Sequence, residues 1–308
     1  MANGTTLYDE YIVTLKANGM YDAAHLIEEA LPLRPTMTLT EKLQQLDKLK
    51  GWLDSFRPFP AAIVEELKKL YDVRFTYHSN AIEGNTLTQS ETEMVIEKGI
   101  TVGGKTLKEH LEVIGHKNAI DYVEELAKEE TPITEREIKD LHNLIMRGIE
   151  PNEAGRYRTI DVRAAGTEHV YPPHFQLQEL MDEFSRWLES PNAKALHPIG
   201  YASEAHYRFV AIHPFRDGNG RTGRLLMNLI LLRFSFPVAV ITNERRKEYI
   251  DALVYGQTNN NDTSKLTSLV ADASRDSLVE YLRVLSTAAE SKGKGLLFYE
   301  EMISYLSN

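Results

Sequence analysis

Leu39, Leu43, Leu46, Leu49 and Leu53 recur at spacings of three and four, which lays one apolar stripe along a helix. Pro60 then opens a second segment of the same kind, carrying Ile63, Leu67, Leu70 and Tyr71. Polar punctuation agrees with this period. Thr88/Glu91, Thr106/Glu109 and Thr134/Glu137 each form the T-x-x-E pattern of a capping box. Gly99 and Gly148 suit the ends of the first and third of these helices. Further helices are predicted over 177–188, 193–212, 220–234, 244–255 and 265–285. Residues 155–173, GRYRTIDVRAAGTEHVYPP, break the pattern. Val, Tyr, Thr and Ile flank a central Ala-Gly-Thr turn, and a double proline closes it, which predicts a short β-hairpin; an irregular surface loop is the other reading. The fold class is therefore all-α with one hairpin. A helical N-terminal arm covers 1–77, a core 78–290, and a helical tail 291–308.

Composition narrows the function classes. The 308 residues are 42% hydrophobic and 26% charged, ordinary for a globular protein with a sizeable core. A net charge of −10 argues against a nucleic-acid partner, since phosphate backbones demand a basic face. The chain has no cysteine, so disulfides and thiolate zinc sites are excluded. Neither a signal-peptide pattern nor a membrane-length apolar run is present. The expectation is a soluble, cytoplasmic protein with no membrane partner.

One stretch concentrates chemistry: AIHPFRDGNGRTGRLLMN, residues 211–228. Residues 218–223 match G-x-G-x-x-G, but the flanks are helical and lack the βα units of a dinucleotide fold. Arg224 stands where a Walker motif needs lysine, and His213 and Asp217 have no third zinc ligand nearby. A phosphate site fits better. Gly218 and Gly220 permit a tight turn into a helix N-terminus, and Arg221 and Arg224 share one helix face. Asp217 calls for Mg²⁺ between itself and the phosphates, and His213 is the residue suited to take a proton from a hydroxyl.

The stretch resembles the signature of Fic-domain proteins, H-x-F-x-[D/E]-G-N-G-R-x-x-R, and His213 to Arg224 match every specified position. The likeness extends over roughly residues 39–285. It implies a Fic-type helical core with a β-hairpin flap over about 155–173, and transfer of AMP from ATP to a protein hydroxyl. His213 would be the base, Asp217 the Mg²⁺ ligand, and Gly218, Asn219 and Gly220 the anion hole. Arg221 and Arg224 would hold the outer phosphates, with Thr222 and Gly223 in the same nucleotide-binding turn. The flap tip (Ala165, Gly166, Thr167) and a later helix (Tyr249, Ile250, Leu253, Gln257) would line the nucleotide. Core packing is the other reading for Tyr249 and Leu253, and Gln257 departs from the asparagine common there. The kinase-like branch has lysine at the second glycine, so Gly220 favours nucleotidyl transfer.

Upstream, SNAIEGNTLT (79–88) strands Glu83 at a helix end, where negative charge opposes the dipole. Ser79 and Glu83 lie four apart on one face, and Gly84 suits the helix stop. The stretch is similar to the family's inhibitory motif [S/T]-x-x-x-E-[G/N], which implies an inhibitory helix at about 78–85 with Glu83 paired to Arg224. The resulting expectation is an auto-inhibited protein adenylyltransferase. ATP and a target protein, the chain itself included, would be its partners, with a homodimer among the allowed assemblies. Two alternatives stay open: a hydrolase that uses Glu83 to align water and strip AMP from a protein, and a nucleotide-sensing regulator without catalysis.

Overall fold

A computed structural model describes residues 4–20, 22–129, 131–163 and 169–307. In chain order the helices are α1 (Gly4–Ala17), α2 (Ala23–Ala30), α3 (Leu39–Asp54), α4 (Ala61–Ile82) and α5 (Gln89–Lys98). They continue with α6 (Leu107–Ala127), α7 (Glu135–Met146), α8 (Leu177–Leu188), α9 (Pro191–Lys194) and α10 (Pro198–Ile212). The last four are α11 (Asn219–Arg233), α12 (Arg246–Thr258), α13 (Ser264–Thr287) and α14 (Leu296–Leu306).

The chain divides into two compact units, one of residues up to 70 together with those from 271 onward, the other of 71–270. The first has an aromatic core in which Tyr8, Tyr11, Trp52 and Phe56 meet Phe298 and Tyr299 edge-on or tilted. The second is built around α11, whose Leu225, Leu226, Met227, Leu229, Ile230 and Leu231 are all buried. A helix apolar on every side must be wrapped. Here α6, α7 and α10 wrap it. Its one central amide, Asn228, ties α11 to the following segment by exchanging hydrogen bonds with both backbone groups of Ala239.

The capping boxes at Thr88, Thr106 and Thr134 all form, and Thr38/Glu41 adds a fourth at the start of α3. Gly99 closes α5 in the left-handed region at φ 63°. Gly148 does not enter that region; Arg147 caps α7 instead. The helix expected over 193–212 is split, because Pro198 starts a new one and His197 caps it through Nδ1.

The hairpin is corrected. Among the described residues there is no strand, and 155–163 and 169–173 run as irregular chain. Ile160 and Val170, whose β-branched side chains suggested strands, are largely exposed and pack on no sheet. The two legs are joined by a side chain in place of a backbone ladder. Buried Arg158 donates to the carbonyls of Ile160, Pro172 and His213, and the adjoining Pro172 and Pro173 have no N–H to give a partner strand. The expected tip, Ala165, Gly166 and Thr167, lies outside the described residues.

Candidate nucleotide-transfer site

His213 caps α10 with a left-handed backbone, φ 52°, which is costly for a residue with a Cβ. Three contacts hold it there. Its N–H donates to Phe209 O at 3.0 Å, its carbonyl accepts from Arg158 Nε at 2.9 Å, and its ring stacks on Tyr171 at 4.2 Å. Nδ1 faces the Val210 carbonyl at 3.3 Å. A carbonyl only accepts, so Nδ1 carries the hydrogen and Nε2 keeps its lone pair. Burial lowers the imidazole pKa to about 4, so the ring is neutral at pH 7 and able to accept a proton.

The turn that follows is braced from inside. Phe215 is fully buried and stacks face to face on His142, centroids 3.6 Å apart. The Asn219 amide accepts from Phe215 N at 2.9 Å and donates to Phe215 O at 2.8 Å, so that side chain shapes the turn. Gly218 enters α11 at φ 78° with no side-chain cap, leaving the first N–H groups of α11 without the usual side-chain acceptor. Asp217 is exposed; its Oδ1 accepts from Gly218 N at 2.6 Å and lies 3.7 Å from Arg221 Nη2. The described residues hold no cluster of three metal-ligating side chains. A single accessible carboxylate beside an uncapped helix start and the unfilled donors of Arg221 nevertheless fits Mg²⁺, which takes one or two carboxylates and completes its shell with other oxygens.

The two arginines differ sharply. Arg224, 1% exposed, sends Nη2 to Glu83 Oε1 and to Ser79 O, both at 2.7 Å. Its Nε reaches Ser79 Oγ at 3.0 Å, and Nη1 reaches the Tyr249 hydroxyl at 3.3 Å. Burial opposes the charge, yet the Glu83 carboxylate and the Tyr249 oxygen more than offset it and raise the Arg224 pKa. Glu83 thus finds the cation that its place beyond the end of α4 required. Its carboxylate lies directly over Gly220, where an added Cβ would collide with Oε1. Arg221, 2% exposed, is less well served. Glu112 Oε1 is 3.5 Å from Nη1 and Met146 Sδ is 3.7 Å from Nη2, while Nε and Nη1 are buried with no hydrogen-bond acceptor.

Thr222 is buried, and Gly223 makes room for His206, whose ring a Cβ there would strike. Tyr249 is buried between Arg224 and His206, with its hydroxyl 2.8 Å from His206 Nε2. Leu253 is buried, and Ile250 and Gln257 are half-buried on α12.

Three supports of the site carry no local signature in the sequence. His142 bridges Gly155 and the Asp217 carbonyl. Arg158 holds His213. Asn85, just past Glu83, donates to Glu112 at 2.8 Å, and Glu112 faces Arg221. His142 sits on the apolar stripe Ile138, Leu141, Ile145, Met146, where a histidine reads as core. Arg158 was visible within GRYR, but nothing in that string says that it would be buried.

The profile of the Fic/DOC family matches residues 132–231. The protein adenylyltransferase Fic of Drosophila persimilis is 37% identical over 246 residues, 80% of this chain and 47% of that protein. Its counterpart in Nematostella vectensis is 36% identical over 289 residues, 89% of this chain and 67% of that protein. Fic-1 from C. elegans superposes with a TM-score of 0.72 at 32% identity, covering 79% of this chain and 72% of that one. A Fic-domain signaling protein from Bacteroides thetaiotaomicron gives 0.71 at 26% identity, covering 81% and 98%. The chain spans about half the length of the fruit-fly relatives it matches. A complete His213–Arg224 signature on a matching helical core, with relatives above 30% identity along most of both chains, shows that this chain belongs to the Fic/DOC family.

Proposed function

We propose that this protein is an auto-inhibited adenylyltransferase that moves AMP from ATP to a Ser, Thr or Tyr hydroxyl of a protein, its own chain included. The observation that carries the reading is the Glu83–Arg224 pair at 2.7 Å, lodged over Gly220 beside a neutral His213. The relatives' name, protein adenylyltransferase Fic, supports it.

In this mechanism the target hydroxyl attacks the α-phosphorus while His213 Nε2 takes its proton. The bond from that phosphorus to the bridging oxygen breaks, and pyrophosphate leaves. Asp217 would hold Mg²⁺, whose charge offsets that of the phosphates. The unsatisfied donors of Arg221 suit one phosphate. Arg224 would take the tail of ATP once Glu83 withdraws. Until then the nucleotide sits out of line for attack, because its terminal phosphate competes with a carboxylate for one guanidinium. Residues 155–163 and 169–173, tied to His213 by Arg158, would border the path of the target chain. The reading takes the cytoplasm as the compartment; no described helix is long and apolar enough to cross a membrane.

The test follows ATP labelled at the α- or γ-phosphate with the native chain and Glu83→Gly. α-Label on protein, rising in Glu83→Gly, is the expected result; γ-label alone would mean phosphoryl transfer and end the proposal. One observation favours a second reading. The Glu83 side chain is 39% exposed and reaches Arg224 through Oε1 alone, which suits a carboxylate that aligns water for removal of AMP. Loss of AMP removal in Glu83→Gly, with transfer unchanged, would select that reading.

A further inference from the structure

Two buried histidines of the second unit make an instructive pair. His116 is fully buried with neither ring nitrogen partnered and lies edge-on to Phe75, as a space-filling ring does. His142, 1% exposed, uses both nitrogens on backbone atoms of two separate segments. Gly155 N–H donates to Nδ1 at 2.9 Å, and Nε2 is 2.9 Å from the carbonyl of Asp217. An N–H can only donate and a carbonyl can only accept. The ring must therefore be the neutral Nε2–H tautomer. Two glycines shape the space around it. Gly218 leaves the gap where the His142 ring and Met146 pack, and a Cβ there would stand 3.3 Å from Nε2. Gly155, at φ 72°, comes close enough to α7 that a Cβ would meet Lys139 O at 3.1 Å and Asn143 at 3.2 Å.

We infer that His142 is a positioning residue: it fixes the backbone of Asp217, and with it the carboxylate that faces the metal-nucleotide, from beneath the turn. The inference rests on the reading of this turn as a Mg·ATP site. Its physical basis is that of an outer-shell partner. A ligating carboxylate on a free loop pays ordering entropy on each binding event, whereas one whose main chain is already tied does not. His213 has its own supports in Arg158, Tyr171 and Val210. Loss of the His142 bonds should accordingly weaken Mg·ATP binding and leave the proton-accepting end in place.

The experiment uses the full chain carrying Glu83→Gly and measures affinity by calorimetry for Mg·ATP and for ATP in EDTA. His142→Phe keeps the stack on Phe215 and removes both hydrogen bonds. His142→Gln returns a donor near the Nε2 position. Loss of a partner that orients a metal-binding carboxylate costs roughly 10- to 100-fold in metal affinity. The expected result is a loss in that range for Mg·ATP in His142→Phe, little change for ATP in EDTA, partial rescue in His142→Gln, and a raised KM for Mg·ATP with kcat nearly kept. Unchanged Mg²⁺ dependence in His142→Phe, or equal loss in His142→Gln, would overturn the inference. A second measurement separates it from the reading beneath it. The ¹⁵N spectrum of the native chain should show His142 as a single Nε2–H tautomer with a slowly exchanging proton; an Nδ1–H form would overturn the inference whatever the nucleotide data say. If the Glu83→Gly chain with His142 intact binds no Mg·ATP while that tautomer is seen, the Mg·ATP reading fails, and with it the metal-facing role of His142.

Discussion

The two ends of the His213–Arg224 stretch are built on opposite principles. At the first end His213 is neutral, partly open, and held in a strained backbone by Arg158, Phe209 and Tyr171. Nothing there has to change before it can accept a proton. At the second end Arg224 is buried and spent on the protein's own groups, Glu83, Ser79 and Tyr249. Three residues earlier on the same helix, Arg221 is as deeply buried but keeps donors without acceptors. A satisfied buried cation is a closed lock, and an unsatisfied one is a place waiting for an anion. On the proposed function, the contrast places control on how the phosphate tail of ATP is held, with the proton-accepting end left standing.

The largest effect should come from breaking the standing end. His213→Ala in the Glu83→Gly chain is expected to lower transfer from α-labelled ATP by a factor of about 10² to 10⁴. Affinity for Mg·ATP should change little, because the imidazole does not hold the nucleotide. A comparable loss of affinity would mean that the two ends are not separable.

Opening the lock comes next. Glu83→Gly should raise auto-modification by about tenfold, the equivalent of roughly 1.4 kcal/mol for one charge-assisted pair at a half-exposed carboxylate. Arg224→Ala should not share that gain, since it removes the lock and the phosphate grip together. The double variant should match Arg224→Ala alone, the non-additivity of groups that act as one unit. An additive double variant would show that Glu83 restrains something other than Arg224.

Stability sharpens the comparison between the arginines. Arg224→Met should cost about 2 kcal/mol in urea unfolding, discounted because the Glu83 left behind can hydrate. Arg221→Met should cost less than about 1 kcal/mol, since it gives up few good hydrogen bonds and adds apolar packing beside Met146. Equal losses would erase the distinction drawn from the orphaned donors.

The smallest effect is the pH profile. Burial holds the His213 pKa at about 4, below the ordinary value near 6.5, so the basic form is present throughout the neutral range. Transfer by the Glu83→Gly chain should therefore show no acid limb near pH 6.5 and decline only as pH falls toward 4. The same sign holds for stability: between those two values the unfolded chain takes up a proton that folded His213 refuses, so stability declines as pH drops through that window. A midpoint near 6.5 in kcat/KM would show a hydrated His213.

Much of this was readable in the chain itself. Capping boxes and three-four apolar spacing are local properties, decided within one or two turns of backbone, so most helices followed from the string, the break at Pro198 excepted. The His213–Arg224 turn was legible for the same reason, because its glycines, its Asn219 clasp and the helix entrance are neighbours in sequence. Glu83 was legible in a weaker sense: a carboxylate at a helix end asked for a cation, and the family likeness named Arg224. The 155–173 segment was not legible. Alternating Ile, Val and Tyr announce a strand only where another strand is there to pair with, and here Arg158 takes the carbonyls that a ladder would have used. His142 was hidden altogether, since its place on an apolar stripe looks the same whether its nitrogens are idle or bridge Gly155 to Asp217. Such bonds join residues 13 and 75 apart in sequence, and no local pattern encodes which backbone atoms will stand 2.9 Å from a ring. Local propensity wrote the helices and the turn; only close packing decided which buried polar groups would meet, because in a dense interior each must find a partner or pay for lacking one.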